Sequence, residues 1–332
     1  MAEIAVADIG GTHARFAIAS IDGPRVVSLG EPFTIKTASH ASFELAWEKF
    51  AKRVGAPLPD SLAIAFAGPV SGDFLKLTNN PWVIRPTNIR DELGLRELLI
   101  LNDFGSVAHA VAALGDGHFQ SVCGPDHPLS SAQVVTVIGP GTGLGVAVLH
   151  KSATGYEVIE TEGGHIDFAP LDPLEDKILD RLRQNFRRVS VERIASGHGL
   201  ANLYDALSQI EDRPRAYHDD AALWSAALAN EDAVAAAALH RLVMSLGSIA
   251  GDLALAHGAQ AVAIAGGVGL RLVDHLGPLG FSQRFVDKGR FQTRMEGIPV
   301  KVVTYPDAGL FGAAAAFARH NCPATDGRSL SC

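Results

Sequence analysis

Cysteine is scarce in this chain: there are three in 332 residues, Cys123, Cys322 and Cys332. They lie far apart with neither paired spacing nor a C-x-x-C motif, which excludes a disulfide framework and fits a reducing compartment, the cytoplasm. Charge is sparse as well, at 19% of residues, and no run of Lys or Arg occurs; with a net charge of −8 this excludes a nucleic-acid partner and adhesion to anionic membrane. Apolar stretches such as residues 258–272 are broken by glycine and charge well short of the roughly 20 residues that span a bilayer. The amino terminus enters an alternating strand without a basic segment or an apolar stretch of signal length, so no secretion signal is expected.

What the chain does have is apolar bulk, 47% of its residues, and 34 glycines. That is enough for a large core, and at this length for two domains. One pattern is written twice: apolar strand, glycine-rich turn with a threonine, apolar strand. The first copy runs through residues 4–7, the turn Asp8-Ile9-Gly10-Gly11-Thr12, and residues 15–19. The second runs through residues 134–138, the turn Gly139-Pro140-Gly141-Thr142-Gly143-Leu144-Gly145, and residues 146–149. Glycine backbones let amides approach a ligand closely, so two such hairpins facing one another suit a polyphosphate held in a cleft. A dinucleotide fingerprint needs a helix after the glycines, and a P-loop needs Gly-Lys-Ser/Thr; the second copy has neither.

Between and after the hairpins, spacing predicts helices at 42–52 (stopped by Pro57 and Pro59), 88–93, 106–114, 174–186, 200–208, 221–229, 232–257 and 308–320. Short apolar strands are expected at 62–66, 98–101, 261–265 and 300–305. Residues 115–131, rich in Gly, Pro, Asp and Ser, make the expected crossing between domains. The expected division is a small α/β domain of residues 1–114 with 306–320, a large α/β domain of 115–305, and a frayed tail at 321–332. The alanine- and glycine-rich last helix allows close packing and a return to the first domain.

Asp8 ends a buried strand, where a carboxylate needs a compensating cation or donors. It suits magnesium held through water, while the amides of Gly10, Gly11 and Thr12 meet phosphate. Gly266-Gly267 ends a third strand, as a plain strand-to-helix turn or as a surface for adenine and ribose. Asn102-Asp103, Glu162, His165 and Glu192 supply carboxylates, an amide and an imidazole, a set that holds hydroxyl-rich ligands. A carboxylate is also what phosphoryl transfer to an alcohol needs as base. The plainer alternatives are that Asp103 caps the next helix, that Glu192 pairs with Arg187, Arg188 or Arg193, and that His165 is a core histidine. The spacing of Glu162, His165 and Asp167 matches no usual zinc pattern.

Five ordered segments resemble the signatures of the bacterial glucokinase family, within the actin-like ATPase superfamily of hexokinases and Hsp70 chaperones. They are DIGGTHAR from Asp8, LNDF from Leu101, GPGTGLG from Gly139, EGGHIDFAP from Glu162, and ERI-x-SG-x-GL from Glu192. The resemblance spans residues 4–317. It implies two ribonuclease-H-like domains with an interdomain cleft and transfer from ATP, with magnesium, to the 6-hydroxyl of glucose, the entry reaction of glycolysis, in a cytoplasmic homodimer. Carried over by position, Asp103 is the base, and Asn102, Glu162, His165 and Glu192 bind the other sugar hydroxyls. Asp8 to Thr12, including Ile9, form the first phosphate segment, Gly139, Gly141 and Thr142 the second, and Gly266-Gly267 the adenosine segment. The loop Thr78-Asn79 resembles another sugar-side segment. His13 and His198 stand where the family has Asn and Pro. The cysteine-rich zinc segment of the ROK sugar kinases and repressors is missing. A kinase for fructose or mannose and a non-enzymatic actin-like ATPase are the alternatives.

Overall fold

In the computed structural model, which describes residues 1–321 except 71, 78, 79 and 81, strand β1 (Ala2–Ile9) sends alternate side chains into two different cores. It forms an antiparallel hairpin with β2 (His13–Asp22), pairing Asp8 with Arg15. β3 (Arg25–Leu29) and β4 (Phe33–Lys36) both pair with β2. Helix α1 (Phe43–Val54) starts at Ser42, whose hydroxyl accepts from the Leu45 amide, and ends on Gly55 at φ 72°. A left-handed glycine is what closes it, ahead of the two prolines expected to do so. Then come β5 (Ser61–Phe66), the small ribbon of β6 (Leu75–Lys76) and β7 (Val83–Ile84), and helix α2 (Pro86–Glu92). β8 (Glu97–Asn102) runs directly into α3 (Asp103–Ala113). The sheet order is β3-β2-β1-β5-β8, with β5 parallel to both β1 and β8. The expected Thr78-Asn79 loop lies outside the described residues.

The segment expected as an irregular crossing carries β9 (Phe119–Cys123). After it come β10 (Val134–Pro140), β11 (Leu144–Ser152) and β12 (Gly155–Thr161). The strands of the second hairpin extend further inward than expected, with Gly139 opposite Gly145 and Pro140 opposite Leu144. Only residues 141–143 remain as the turn. The helices α4 (Pro173–Asn185), α5 (Gly197–Ile210), α6 (Asp220–Leu228) and α7 (Ala233–His257) precede β13 (Ala261–Ile264) and α8 (Gly266–Arg271). α9 (Phe281–Val286), α10 (Gln292–Glu296), β14 (Val300–Val303) and α11 (Ala308–Asn321) complete the chain. The second sheet is ordered β12-β11-β10-β13-β14-β9. As in the first sheet, a hairpin strand is followed by two parallel strands, β13 and β14, with β9 added antiparallel at the edge.

The protein is therefore α/β with two six-stranded sheets. Among the described residues, one compact unit comprises Met1–Gly115, Lys151–Glu160 and 305–321; the other comprises Asp116–His150 and Thr161–Thr304. In the first unit, Leu62, Ile64 and Phe66 of β5 join Phe16, Phe43, Trp47 and Phe50 in one core, while Ala63 and Ala65 face the other beside Leu310, Ala313, Ala314 and Phe317. Large residues on one face and alanine on the other let α11 lie close to the sheet. Each large side chain so buried contributes about 1.5–3 kcal/mol.

The long helix of the second unit, α7, is capped by Asp232 at its start and by left-handed Gly258 at its end. Its 25 residues have the length and apolarity to cross a membrane, which corrects the expectation that every apolar stretch is shorter; 67% of its most apolar window is buried in the protein.

Candidate active site

The β1–β2 turn sets the geometry around Asp8. Antiparallel pairing places Arg15 directly across, with its Nη1 3.3 Å from Asp8 Oδ2. Burial pushes the Asp8 pKa above the usual carboxylate value; Arg15 opposes this and the charge of Asp307 adds to it. At the start of α11, a Cβ placed on Gly309 would lie 3.0 Å from Asp8 Oδ2. A residue without a side chain is what lets that first helical turn lie against the carboxylate. The Gly10 amide donates to His13 O at 2.9 Å, closing the turn, while space beside Gly11 is open. Thr37 braces the turn by donating its hydroxyl to Gly11 O at 2.7 Å.

Asn102 and Asp103 sit where β8 becomes α3. The helix begins three residues earlier than expected, and Asn102, not Asp103, is its cap: Asn102 Oδ1 accepts from Phe104 N at 2.8 Å and from Gly105 N at 3.1 Å. Asp103 is the first helical residue, and its Oδ1 also accepts from Phe104 N at 2.8 Å. A carboxylate here benefits from the positive end of the helix. Asn102 Nδ2 donates to Gly68 O at 3.3 Å, using one of its two amide hydrogens.

In the second unit the structure brings the remaining expected residues together. Glu162 and His165 flank a single 3-10 turn, and Glu192 lies in another. His165 Nδ1 is 3.5 Å from Glu192 Oε1, and His165 Nε2 is 3.6 Å from Glu162 Oε2. The imidazole is 55% exposed between the two carboxylates, so it is not a core histidine. Glu192 faces it at 21% exposure, while Arg193 stacks over Phe186 at 4.5 Å and Arg188 pairs with Asp167 at 2.5 Å. Among the described residues, no group of three or more His, Cys, Asp or Glu side chains is arranged to hold a metal ion.

These residues interlock with the glycine turn. A Cβ on Gly143 would lie 2.9 Å from Glu192 Oε2, and one on Gly164 would overlap Leu144 O. Gly141 O accepts from Gly197 N at 2.7 Å, fixing the turn to the start of α5. Gly266, at φ 82°, begins α8 with room for a Cβ only 2.8 Å from Pro140 O. Contacts within this unit therefore link Gly141 to Gly197, Gly143 to Glu192, Glu192 to His165 and Gly266 to Pro140. Arg15, Asp307, Gly309 and Gly143 were not singled out as site residues from sequence. Hairpin register carried the signal for Arg15, since pairing puts it across from Asp8; for Asp307 and Gly309 the partner is about 300 positions away, and no local pattern reveals it.

Comparison with known proteins follows the same lines. The glucokinase family model matches residues 5–320. A glucokinase from Zymomonas mobilis is 60% identical over 95% of this chain and 98% of its own length. One from Mesorhizobium japonicum is 37% identical over 94% and 90%. The crystal structure of a glucokinase from an Antarctic psychrotroph superposes with a TM-score of 0.81, at 33% identity over 97% of this chain and 99% of that one. With the family model covering almost the whole sequence and all five signature segments in order, this chain belongs to the glucokinase family, within the actin-like ATPase superfamily.

Proposed function

We propose that the protein is a glucokinase that transfers the γ-phosphoryl group of ATP to the 6-hydroxyl of D-glucose. The observation that carries this reading is the cluster of Glu162, His165 and Glu192, with Glu192 directly against Gly143 of the turn, acceptors for sugar hydroxyls beside a phosphate-type backbone loop. Asn102 contributes a further donor to the sugar. Asp103, held at a helix N-terminus, takes the proton of the primary hydroxyl as its oxygen attacks phosphorus; the O–P bond forms as the bond to the ADP oxygen breaks. Carboxylates gripping the ring hydroxyls fix the attacking oxygen in line, which is where most of the acceleration arises in such transfers.

On the nucleotide side, residues 8–12 and Gly139, Gly141 and Thr142 cradle the phosphates, and Gly266-Gly267 accept adenosine. Asp8 with Asp307 supplies paired negative charge whose mutual cost a cation relieves, so the residues present fit magnesium bound through water. Bound there, magnesium would supply positive charge to the phosphates of ATP. The finer architecture belongs to the same proposal: two ribonuclease-H-like domains that close over sugar and nucleotide and exclude water, in a cytoplasmic homodimer. The match to a Balamuthia mandrillaris glucokinase solved with glucose, at a TM-score of 0.77 and 23% identity, supports the fold.

The test is a coupled assay with glucose, fructose and mannose as acceptors and ATP, ADP and polyphosphate as donors. Glucose with ATP is expected to give the highest kcat/KM. A preference for fructose or mannose replaces the acceptor; ATP hydrolysis indifferent to every sugar, but stimulated by peptide or self-assembly, replaces the enzyme with a non-enzymatic superfamily member.

A further inference from the structure

The amide of Asn102 closes β8 just before the residue assigned as base, and its acceptor lies 58 positions away: Glu160 Oε1, at 3.1 Å. We propose that Glu160 is a positioning residue for the Asn102-Asp103 junction, an inference that rests on the reading of Asp103 as the base. Three observations converge on it. The side chains of Asn102 and Asp103 are turned forward onto the Phe104 and Gly105 amides, so within this hydrogen-bonded junction the Asn102 N–H is satisfied by Glu160. An ionised acceptor makes that bond stronger than a neutral one would. Gly105 is shaped to the same carboxylate, since a Cβ there would overlap Glu160 Oε1 and sit 2.9 Å from its Cγ. Finally, Glu160 ends the segment Lys151–Glu160 of the first unit, and Glu162 follows two residues later in the second. One short stretch of chain therefore holds the Asn102-Asp103 junction through Glu160 and carries the assigned sugar carboxylate Glu162 two residues later.

The bond acts through the backbone and does not touch substrate. Losing it loosens the register of Asp103, and with it Asn102, while leaving Glu162, His165 and Glu192 in place. Its removal is therefore read chiefly in kcat, with a smaller rise in the KM for glucose. Glutamine keeps an acceptor oxygen at the same reach; alanine does not.

The experiment measures kcat and KM for glucose, with melting temperature, for Glu160→Ala, Glu160→Gln, Gly105→Ala, the Glu160→Ala/Gly105→Ala double variant and Asp103→Asn. Expected are a roughly 5- to 10-fold fall in kcat for Glu160→Ala, recovery to within about twofold for Glu160→Gln, and a similar fall for Gly105→Ala that is not added to in the double variant. Glu160→Ala at full kcat overturns the proposal, as does a fall matched by Glu160→Gln or fully accounted for by unfolded protein in the melting curve. Asp103→Asn separates the two readings. If it is inactive while Glu160→Ala is fully active, Glu160 alone loses its role. If Asp103→Asn is active while Glu160→Ala is impaired and Glu160→Gln recovers, the base assignment falls and the hold of Glu160 on the junction stands.

Discussion

At the scale of single residues, the site depends on side chains that are missing as much as on those present. Gly143 is the clearest case. An added Cβ would meet Glu192 Oε2 at 2.9 Å, closer than such contacts run, so the end of the Glu192 side chain, which also faces His165, must shift. Gly143→Ala is expected to raise the KM for glucose about tenfold, a loss of roughly 1.4 kcal/mol, as measured by steady-state kinetics with each substrate varied. An unchanged KM for glucose would detach Glu192 from the sugar. His198, standing where the family has proline, leaves this corner held by other means. The Ser196 hydroxyl accepts from Gly199 N at 3.1 Å, and Gly197 N donates to Gly141 O at 2.7 Å. The residue types singled out at these positions came from the chemistry they can perform. That Asn102 rather than Asp103 caps α3 was not legible in the sequence, since either side chain can accept from a helix amide.

At the scale of elements, α3 runs from the Asn102-Asp103 junction and meets β12 through His109. His109 of α3 packs within its own unit: its Nδ1 is 3.1 Å from Tyr156 Oη, and Arg319 stacks over the Tyr156 ring at 4.4 Å. Burial, aided by the charge of Arg319, lowers the His109 pKa from 6.5 to about 4. The sign follows directly. Below about 6.5 the unfolded imidazole takes a proton that the folded one refuses, so this site's stability is whole above pH 6.5 and falls as pH drops toward 4. The loss at the acid end is on the order of 3 kcal/mol, at about 1.4 kcal/mol per pKa unit. Melting temperatures of wild type and His109→Gln between pH 7 and 4 check this: wild type should lose more than the variant over that window, and parallel curves would contradict it.

Most helices and central strands could be read from period and caps, because local pattern and burial agree there. The exceptions are edge elements. β9, in a stretch of Gly, Pro and Asp, exists because β14 offers it a partner, and β12 pairs at the opposite edge of the same sheet. Pairing partners distant in sequence decide such strands, and propensity does not. The second glycine turn was read too wide for the same reason: Gly139 and Pro140 are drawn into the ladder by Gly145 and Leu144.

At the scale of the whole molecule, the repeated hairpin of the sequence corresponds to a repeated sheet topology, β3-β2-β1-β5-β8 and β12-β11-β10-β13-β14. Residues 151–160 count with the first unit, although sequence continuity had put them in the second, and their anchors are Asn102, Gly105 and His109. The central claim is that a glucokinase-family chain uses Asp103 to activate the 6-hydroxyl. The most direct measurement compares wild type with Asp103→Ala, using calorimetry for glucose binding and NMR to follow phosphate transfer and locate the phosphoryl group. The account predicts glucose 6-phosphate as the product, with glucose bound by both proteins and transfer at least about a hundredfold slower in the variant. Transfer by Asp103→Ala at a near-normal rate, or phosphate on another hydroxyl, would contradict it.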